Sequence, residues 1–216
     1  MDIFTVLLIL HIIAGSISVL IGTFIVLTKK GDKRHKLFGN IFYFSLLITS
    51  IIALPMSYLH SKIFLFIIGF FTAYMILTGK RYLQIKKIEN VKKFDWVLSI
   101  VMFLFGATFL VIGSKSIING NTFGIVVLVF GIISVLFVYQ DYVNYRGKSK
   151  VKNYWLTTHL QRMVGSFIAS TTAFLVVNNT FLPGLVAWLL PTILLVPLII
   201  VWSRKYQVYQ PTNRLL

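Results

Sequence analysis

The sequence predicts an all-α membrane protein, a single domain over residues 1–216 built as a bundle of seven transmembrane helices. Three observations support this fold class. Of the 216 residues, 57% are hydrophobic and only 12% are charged, and the apolar residues fall into runs long enough to cross a bilayer. A soluble domain of this size could not bury so much apolar surface. Because hydrocarbon offers the backbone no hydrogen-bond partner, each run should form a helix.

The seven apolar runs define the expected helices. The first run is not expected to be a cleaved signal peptide, because Asp2 rather than a basic segment precedes it and because it is too long. The third run is the shortest and has room to extend toward Tyr82. We expect helices at about 3–28, 37–59, 62–79, 95–114, 122–145, 154–177 and 183–203.

Basic residues lie between these runs, with 21 Lys and Arg against 5 Asp and Glu. On a soluble chain a net charge of +16 would indicate a nucleic-acid partner. Here the charge is juxtamembrane, so no nucleic acid is expected and the basic loops should attract anionic lipid headgroups. The positive-inside rule places the N-terminus outside and the C-terminus in the cytoplasm. The basic clusters occupy alternate connections, at 29–36, 80–93, 146–152 and 204–214.

Polar side chains interrupt the sixth run, which begins "YWLTTHLQRMVGSFIAS". At 1.5 Å per residue, His159 lies about 7 Å and Arg162 about 12 Å from the cytoplasmic end of helix 6. Asp141 lies about 6 Å inside helix 5 by the same rise, and it is the only acidic residue clearly inside a predicted span. An unpaired charge at such depth costs several kcal/mol, so we expect Asp141 to pair with Arg162.

Other polar residues are expected at the same level of the membrane. Asn40 and Tyr43 begin helix 2, Tyr139 lies near the end of helix 5, and Ser166 continues the Arg162 face of helix 6. Together they predict a ligand-binding polar cavity open to the cytoplasm. The alternative is that Arg162 extends its guanidinium group to the membrane–water interface and that the tyrosines form an aromatic belt at that interface.

Helix 1 carries a stripe of small or polar residues, His11, Gly15, Ser18 and Gly22, spaced so that they share one face. Such a stripe favours close helix packing, with His11 hydrogen-bonding to a neighbouring helix. A ligand-binding role for His11 is the alternative.

Three segments, "LHIIAG", "KGDKRHKLFGNIFY" and "HLQRMVGSFIASTTAFLVVN", resemble a bacterial membrane family catalogued as domain of unknown function 2306. The resemblance covers most of helices 1, 2 and 6. It implies a multi-pass protein of the bacterial cytoplasmic (inner) membrane, and it implies no reaction. The matching positions are His11, His35, Gly39, Tyr43, His159, Arg162 and Met163.

Three classes of function remain open. The first is binding or transport of a small ligand, solute or proton through the polar cavity. The second is a redox protein that holds a b-type haem between two of the four histidines, His11, His35, His60 and His159. Axial ligation needs two imidazoles at one depth, whereas His60 lies at the outer boundary, His11 lies about 10 Å below it and His35 lies in or beside a loop. The third is an accessory subunit of a larger membrane complex or homo-oligomer. The chain has no cysteine and no recognisable catalytic or metal-binding motif, so we assign no catalytic residue and no metal ligand.

Overall fold

The computed structural model describes residues 2–60 and 63–209, apart from the side chains at positions 63 and 64. Over these ranges the chain forms seven α-helices and one short 3₁₀ turn at Ile88–Asn90, with no β-strand. The all-α prediction is therefore confirmed. The helices are α1 Ile3–Leu27, α2 Lys33–Leu59, α3 Ile63–Tyr82, α4 Lys93–Ile118, α5 Gly124–Tyr145, α6 Tyr154–Asn178 and α7 Gly184–Tyr206.

Two helices begin before the apolar run that predicts them. Helix α2 begins at Lys33 because the Asp32 carboxylate accepts the backbone N–H of His35 at 2.7 Å and so caps its first turn. Helix α4 begins at Lys93, where the Asp95 carboxylate accepts the backbone N–H of Lys92 at 2.7 Å. Apolar periodicity does not detect these polar first turns.

Helix α1 exposes large apolar residues and buries small or polar ones, Ala14, Ser18 and Gly22. On α1, Leu20 and Leu27 are 70% and 80% exposed, whereas Ser18 is fully buried. This is the reverse of a soluble helix, and it indicates that lipid surrounds the protein. Among the described residues, six helices are long and apolar enough to span a membrane: α1, α2, α4, α5, α6 and α7. They indicate a multi-pass membrane protein. A seventh span and the orientation of the termini stay predictions.

The chain divides into two compact units. Unit 1 holds residues 1–77 and 162–196, and unit 2 holds the remainder of the chain. Helices α3, α6 and α7 each contribute one end to each unit. The single domain expected over 1–216 stays a prediction.

In unit 1 the small-residue stripe of α1 packs against α2 and α6. A Cβ atom added at Gly22 would lie 2.5 Å from a ring carbon of Phe167 and 3.0 Å from one of Phe42, so a larger residue here would force the Phe167 ring to move. At Gly15 the nearest atom, on Thr49, would be 3.5 Å away, which is an ordinary contact. The close packing expected of the stripe is therefore present at Gly22, while Gly15 leaves room for a methyl group.

Unit 2 is organised by the close packing of α4 against α5. A Cβ atom at Gly113 would lie 2.8 Å from the backbone nitrogen of Leu128, and one at Gly124 would lie 2.7 Å from the carbonyl oxygen of Gly113. Further along the same pair, a Cβ atom at Gly106 would lie 2.9 Å from that of Ser134. Backbone therefore meets backbone along this contact, as small residues permit between membrane helices.

We expect Gly113→Ala to lower the free energy of unfolding by about 1–3 kcal/mol, because the added methyl group meets backbone atoms that cannot rotate away. The matched control is Gly39→Ala in α2, where nothing lies within 4 Å of the new atom. That control should stabilise α2 by up to about 1 kcal/mol through helix propensity. Thermal unfolding in detergent measures both variants, and equal melting of Gly113→Ala and wild type would contradict the packing.

Candidate functional site: a polar cleft in unit 2

A fully buried carboxylate lies near the end of α5. Asp141 is 0% exposed, and its two oxygens accept hydrogen bonds from two other helices. The Tyr82 hydroxyl donates to Oδ1 at 2.7 Å and the Ser99 hydroxyl donates to Oδ2 at 2.8 Å. Hydroxyl donors on both oxygens offset part of the cost of removing this group from water.

The hydrogen bonds continue through Asn144, which lies almost one turn after Asp141 on α5. Its Nδ2 donates to the Tyr82 hydroxyl at 3.3 Å and to the Thr158 hydroxyl at 3.1 Å. The network therefore joins the end of α3, α4, the end of α5 and the start of α6. All of its members are buried, and a buried polar network is favourable only when its members are satisfied together.

Aromatic rings cover this network. Tyr82 stacks on Tyr145 with ring centroids 5.9 Å apart, and Trp96 packs edge-on against Tyr145 at 5.3 Å. The Arg146 guanidinium carbon lies 5.6 Å from the Trp96 ring centroid. Such packing supplies apolar burial and a cation–π contact at the place where the chain leaves α5.

An open cleft of about 540 Å³ adjoins the network. It is formed by the end of α5, the 146–153 connection, the first turns of α6 and the segment after α7. Asn144 and Thr158 belong both to the network and to the wall of the cleft. The remaining lining residues are Tyr139, Gln140, Tyr142, Val143, Lys148, Ser149, Lys150, Val151, Tyr154, Thr157, Gln161 and Gln207.

Two amide side chains are fixed in the wall of the cleft. Gln140 Nε2 donates to Gln161 Oε1 at 2.5 Å, and Gln161 Nε2 donates to the Ser203 hydroxyl at 3.2 Å. Each amide retains further donor or acceptor capacity after these bonds. The cleft therefore presents preoriented polar groups from α5 and α6.

The charged residues that line the cleft are all basic. Lys148 and Lys150 line it, and the Lys148 ammonium lies 5.5 Å from the Tyr142 ring centroid. No Asp or Glu occurs among the described lining residues. The cleft should thus favour an anionic or hydroxyl-rich ligand.

The segment after α7 is tied to the connection that precedes α6. Asn153 Nδ2 donates to the Tyr206 carbonyl at 2.7 Å, and its Oδ1 accepts the Val208 backbone N–H at 2.8 Å. The Lys152 backbone N–H donates to the Val208 carbonyl at 2.6 Å. These bonds hold Gln207 at the cleft.

A second charged group stabilises the connection between α3 and α4. Arg81 forms a bidentate salt bridge with Asp95, in which Nε lies 2.9 Å from Oδ1 and Nη2 lies 3.1 Å from Oδ2. The same guanidinium donates to the Asn90 carbonyl and to the Gln84 side chain, each at 2.6 Å. Because Asp95 is 1% exposed and caps α4, this pair fixes the start of α4.

The predicted site residues of unit 2 lie close to the cleft but not all in it. Tyr139 lines the cleft, and Asp141 lies behind it in the buried network. His159 lies outside the set of lining residues, and its Nδ1 donates to the Gly79 carbonyl oxygen at 2.7 Å.

The other predicted site residues belong to unit 1. Arg162 is fully buried, with its guanidinium carbon 5.1 Å from the ring centroid of Tyr74. His11 Nδ1 lies 3.1 Å from the Thr49 carbonyl oxygen on α2, as expected for helix packing. The Ser166 hydroxyl donates to the Met163 carbonyl within its own helix.

The remaining two, Asn40 and Tyr43, lie on α2 of unit 1, where Asn40 is exposed and Tyr43 packs beside the cluster around Phe42. The pairing of Arg162 with Asp141 stays a prediction. Haem ligation by histidines and the ligand-binding roles of these residues also stay predictions.

Sequence reasoning missed several residues of this site. Ser99 is one hydroxyl within an apolar run, and Gln161 lies beside the more conspicuous Arg162. The sequence does not distinguish Lys148 and Lys150 from the other basic residues of the connections, and Gln207 lies beyond the last predicted helix. The available signal was the pair of glutamines, Gln140 and Gln161, near the facing ends of two consecutive runs.

Comparison with protein-family models, curated proteins and solved structures finds no match to this chain. Within the described residues, no group of three or more His, Cys, Asp or Glu side chains is placed to hold a metal ion.

We expect Arg81→Met to lower the free energy of unfolding by about 3 kcal/mol, because it leaves the buried Asp95 carboxylate without its ion pair. Lys93→Met is the matched control, since it removes a positive charge from an exposed side chain on the same helix turn as Asp95. That control should change stability by less than about 0.5 kcal/mol. Thermal unfolding in detergent compares the two, and equal effects would contradict the role of the Arg81–Asp95 pair.

Proposed function

We propose that this multi-pass membrane protein binds a small polar ligand in the cleft between the end of α5 and the start of α6. The observation that carries the proposal is the Gln140–Gln161–Ser203 hydrogen-bonded chain. It sets amide groups in a fixed orientation on the wall of an open cleft, at the ends of two helices that are otherwise largely apolar.

Fixed polar groups favour binding because the ligand does not have to order them. Immobilising a free side chain on binding costs about 0.5–1.5 kcal/mol, and that cost is already met where the side chain is held by its neighbours. The buried hydrogen bonds of Tyr82 with Asp141 and Asn144 fix the floor of the cleft between two helices, α3 and α5. A volume of about 540 Å³ lies within the range of small-molecule sites.

The proposal extends to topology and family. Seven spans with the N-terminus outside would place the cleft on the cytoplasmic side of a bacterial inner membrane, next to the basic 146–152 connection. Membership of the family catalogued as domain of unknown function 2306 is part of the same proposal. Its support is the resemblance of the segments around His11, Gly39 and Arg162.

Filling the cleft should remove the ligand. Val143 lines the cleft and its side chain makes none of the polar bonds described, so Val143→Trp occupies volume without breaking the network. The control Val111→Trp changes an exposed residue of α4 in the same way. Native mass spectrometry of protein purified in mild detergent should detect a bound small molecule in wild type and Val111→Trp, and lose it in Val143→Trp. A wild type that holds nothing, or equal retention by both variants, would contradict the proposal.

The topology can be tested directly because the chain contains no cysteine. We expect Asn119→Cys, between α4 and α5, to react with a membrane-impermeant maleimide in intact cells. Lys150→Cys, between α5 and α6, should react only after the membrane is permeabilised, since its connection is basic. Both positions are exposed. Labelling of Lys150→Cys in intact cells would contradict the predicted orientation.

A further inference from the structure

We propose that the occupant of the cleft is the headgroup of an anionic phospholipid, with an acyl chain lying along the exposed face of α5. This inference rests on the proposed function and names the class of ligand. It is carried by two features that meet at the cleft, an apolar track along α5 and a cationic, amide-bearing lining.

The apolar track runs from the cleft along one face of α5. Ile132, Leu136, Tyr139 and Val143 follow one another at spacings of four, three and four residues, which keeps them on one side of a helix. Ile132, Leu136 and Tyr139 are 45%, 58% and 65% exposed. From Ile132 to Val143 the track is about 16 Å long at 1.5 Å per residue.

The continuity between track and cleft distinguishes a lipid from a soluble ligand. Tyr139 and Val143 belong to both, so the track ends inside the polar site. The opposite side of the helix is used for packing, with Phe130 and Ser134 buried. A molecule that fills both features needs a polar head and an attached apolar chain, which is the chemistry of a phospholipid.

The lining of the cleft favours a negative headgroup. Lys148 and Lys150 can contact a phosphate, and Lys148 is held beside the Tyr142 ring. A choline or ethanolamine headgroup would bring an ammonium group beside these lysines, with no described acidic residue in the lining to receive it. Gln140 and Gln207 supply amide groups that suit the hydroxyls of a glycerol headgroup.

The test is a titration of the whole protein in neutral detergent, followed by native mass spectrometry. The probes are phosphatidylglycerol, phosphatidylcholine and soluble glycerol phosphate. Wild type should bind one phosphatidylglycerol about tenfold more tightly than phosphatidylcholine, because both lipids carry the phosphate and only phosphatidylcholine brings an ammonium group beside Lys148 and Lys150. The double variant Lys148→Gln/Lys150→Gln should lose that preference. Lys33→Gln/Lys36→Gln, which removes the same charge from exposed positions in the first turn of α2, should keep it.

The variant Leu136→Gln distinguishes the contribution of the apolar track from that of the headgroup site, because Leu136 lies on the track and does not line the cleft. This change should weaken the binding of phosphatidylglycerol severalfold and leave the binding of glycerol phosphate unchanged. Equal affinity for both lipids, equal loss in the two lysine double variants, or glycerol phosphate binding as tightly as the lipid would overturn the inference. If Val143→Trp still displaces a different bound molecule, the cleft binds another ligand and only the lipid assignment fails. If Val143→Trp displaces nothing, both proposals fail.

Discussion

The need to satisfy one buried carboxylate inside an apolar protein constrains much of unit 2. Asp141 is completely buried, and removing an ion of this kind from water costs several kcal/mol unless donors surround it. Its donors, Tyr82 and Ser99, lie on α3 and α4, so all three helices must take the rotation that points these groups at one place. That rotation brings the amide of Asn144 to the hydroxyls of Tyr82 and Thr158.

The cleft follows from the same arrangement. The short connection between α5 and α6 brings the end of α5 close to the start of α6, and a hydrogen bond between Gln140 and Gln161 links the two helices there. Asn153 ties the connection to the segment after α7, and residues of both segments form further walls of the cleft. A polar opening therefore remains at the end of helices whose other surfaces are apolar.

The sequence predicts the helices well and their contacts less well. Runs of apolar residues locate all seven helices within a few residues, because the length needed to cross a bilayer is a strong constraint. The early starts of α2 and α4 depend on capping by Asp32 and Asp95, which lie at or outside the edge of an apolar run. The partners of Asp141 are 59 and 42 residues away in sequence, and run lengths do not encode the rotation of a helix about its axis.

The same limit applies to charge and to small residues. Positive loops predict an orientation but do not tell which lysines face a cleft, so Lys148 and Lys150 could not be separated from other loop charges. The glycines that bring α4 against α5 recur seven residues apart on each helix, at Gly106 and Gly113 and at Gly124 and Gly131. That spacing predicts a face on each helix, and only the structure shows that the two faces meet.

The measurement that tests the central claim most directly is a double-mutant cycle between Asp141→Asn and Tyr82→Phe, read by thermal unfolding in detergent. If Tyr82 satisfies the buried carboxylate, the two changes should be coupled by about 1–3 kcal/mol, with the double variant less destabilised than the sum of the single variants. A parallel cycle with Thr108→Val, whose hydroxyl bonds within α4, should be additive. Additivity within about 0.5 kcal/mol for Asp141 and Tyr82 would contradict the account.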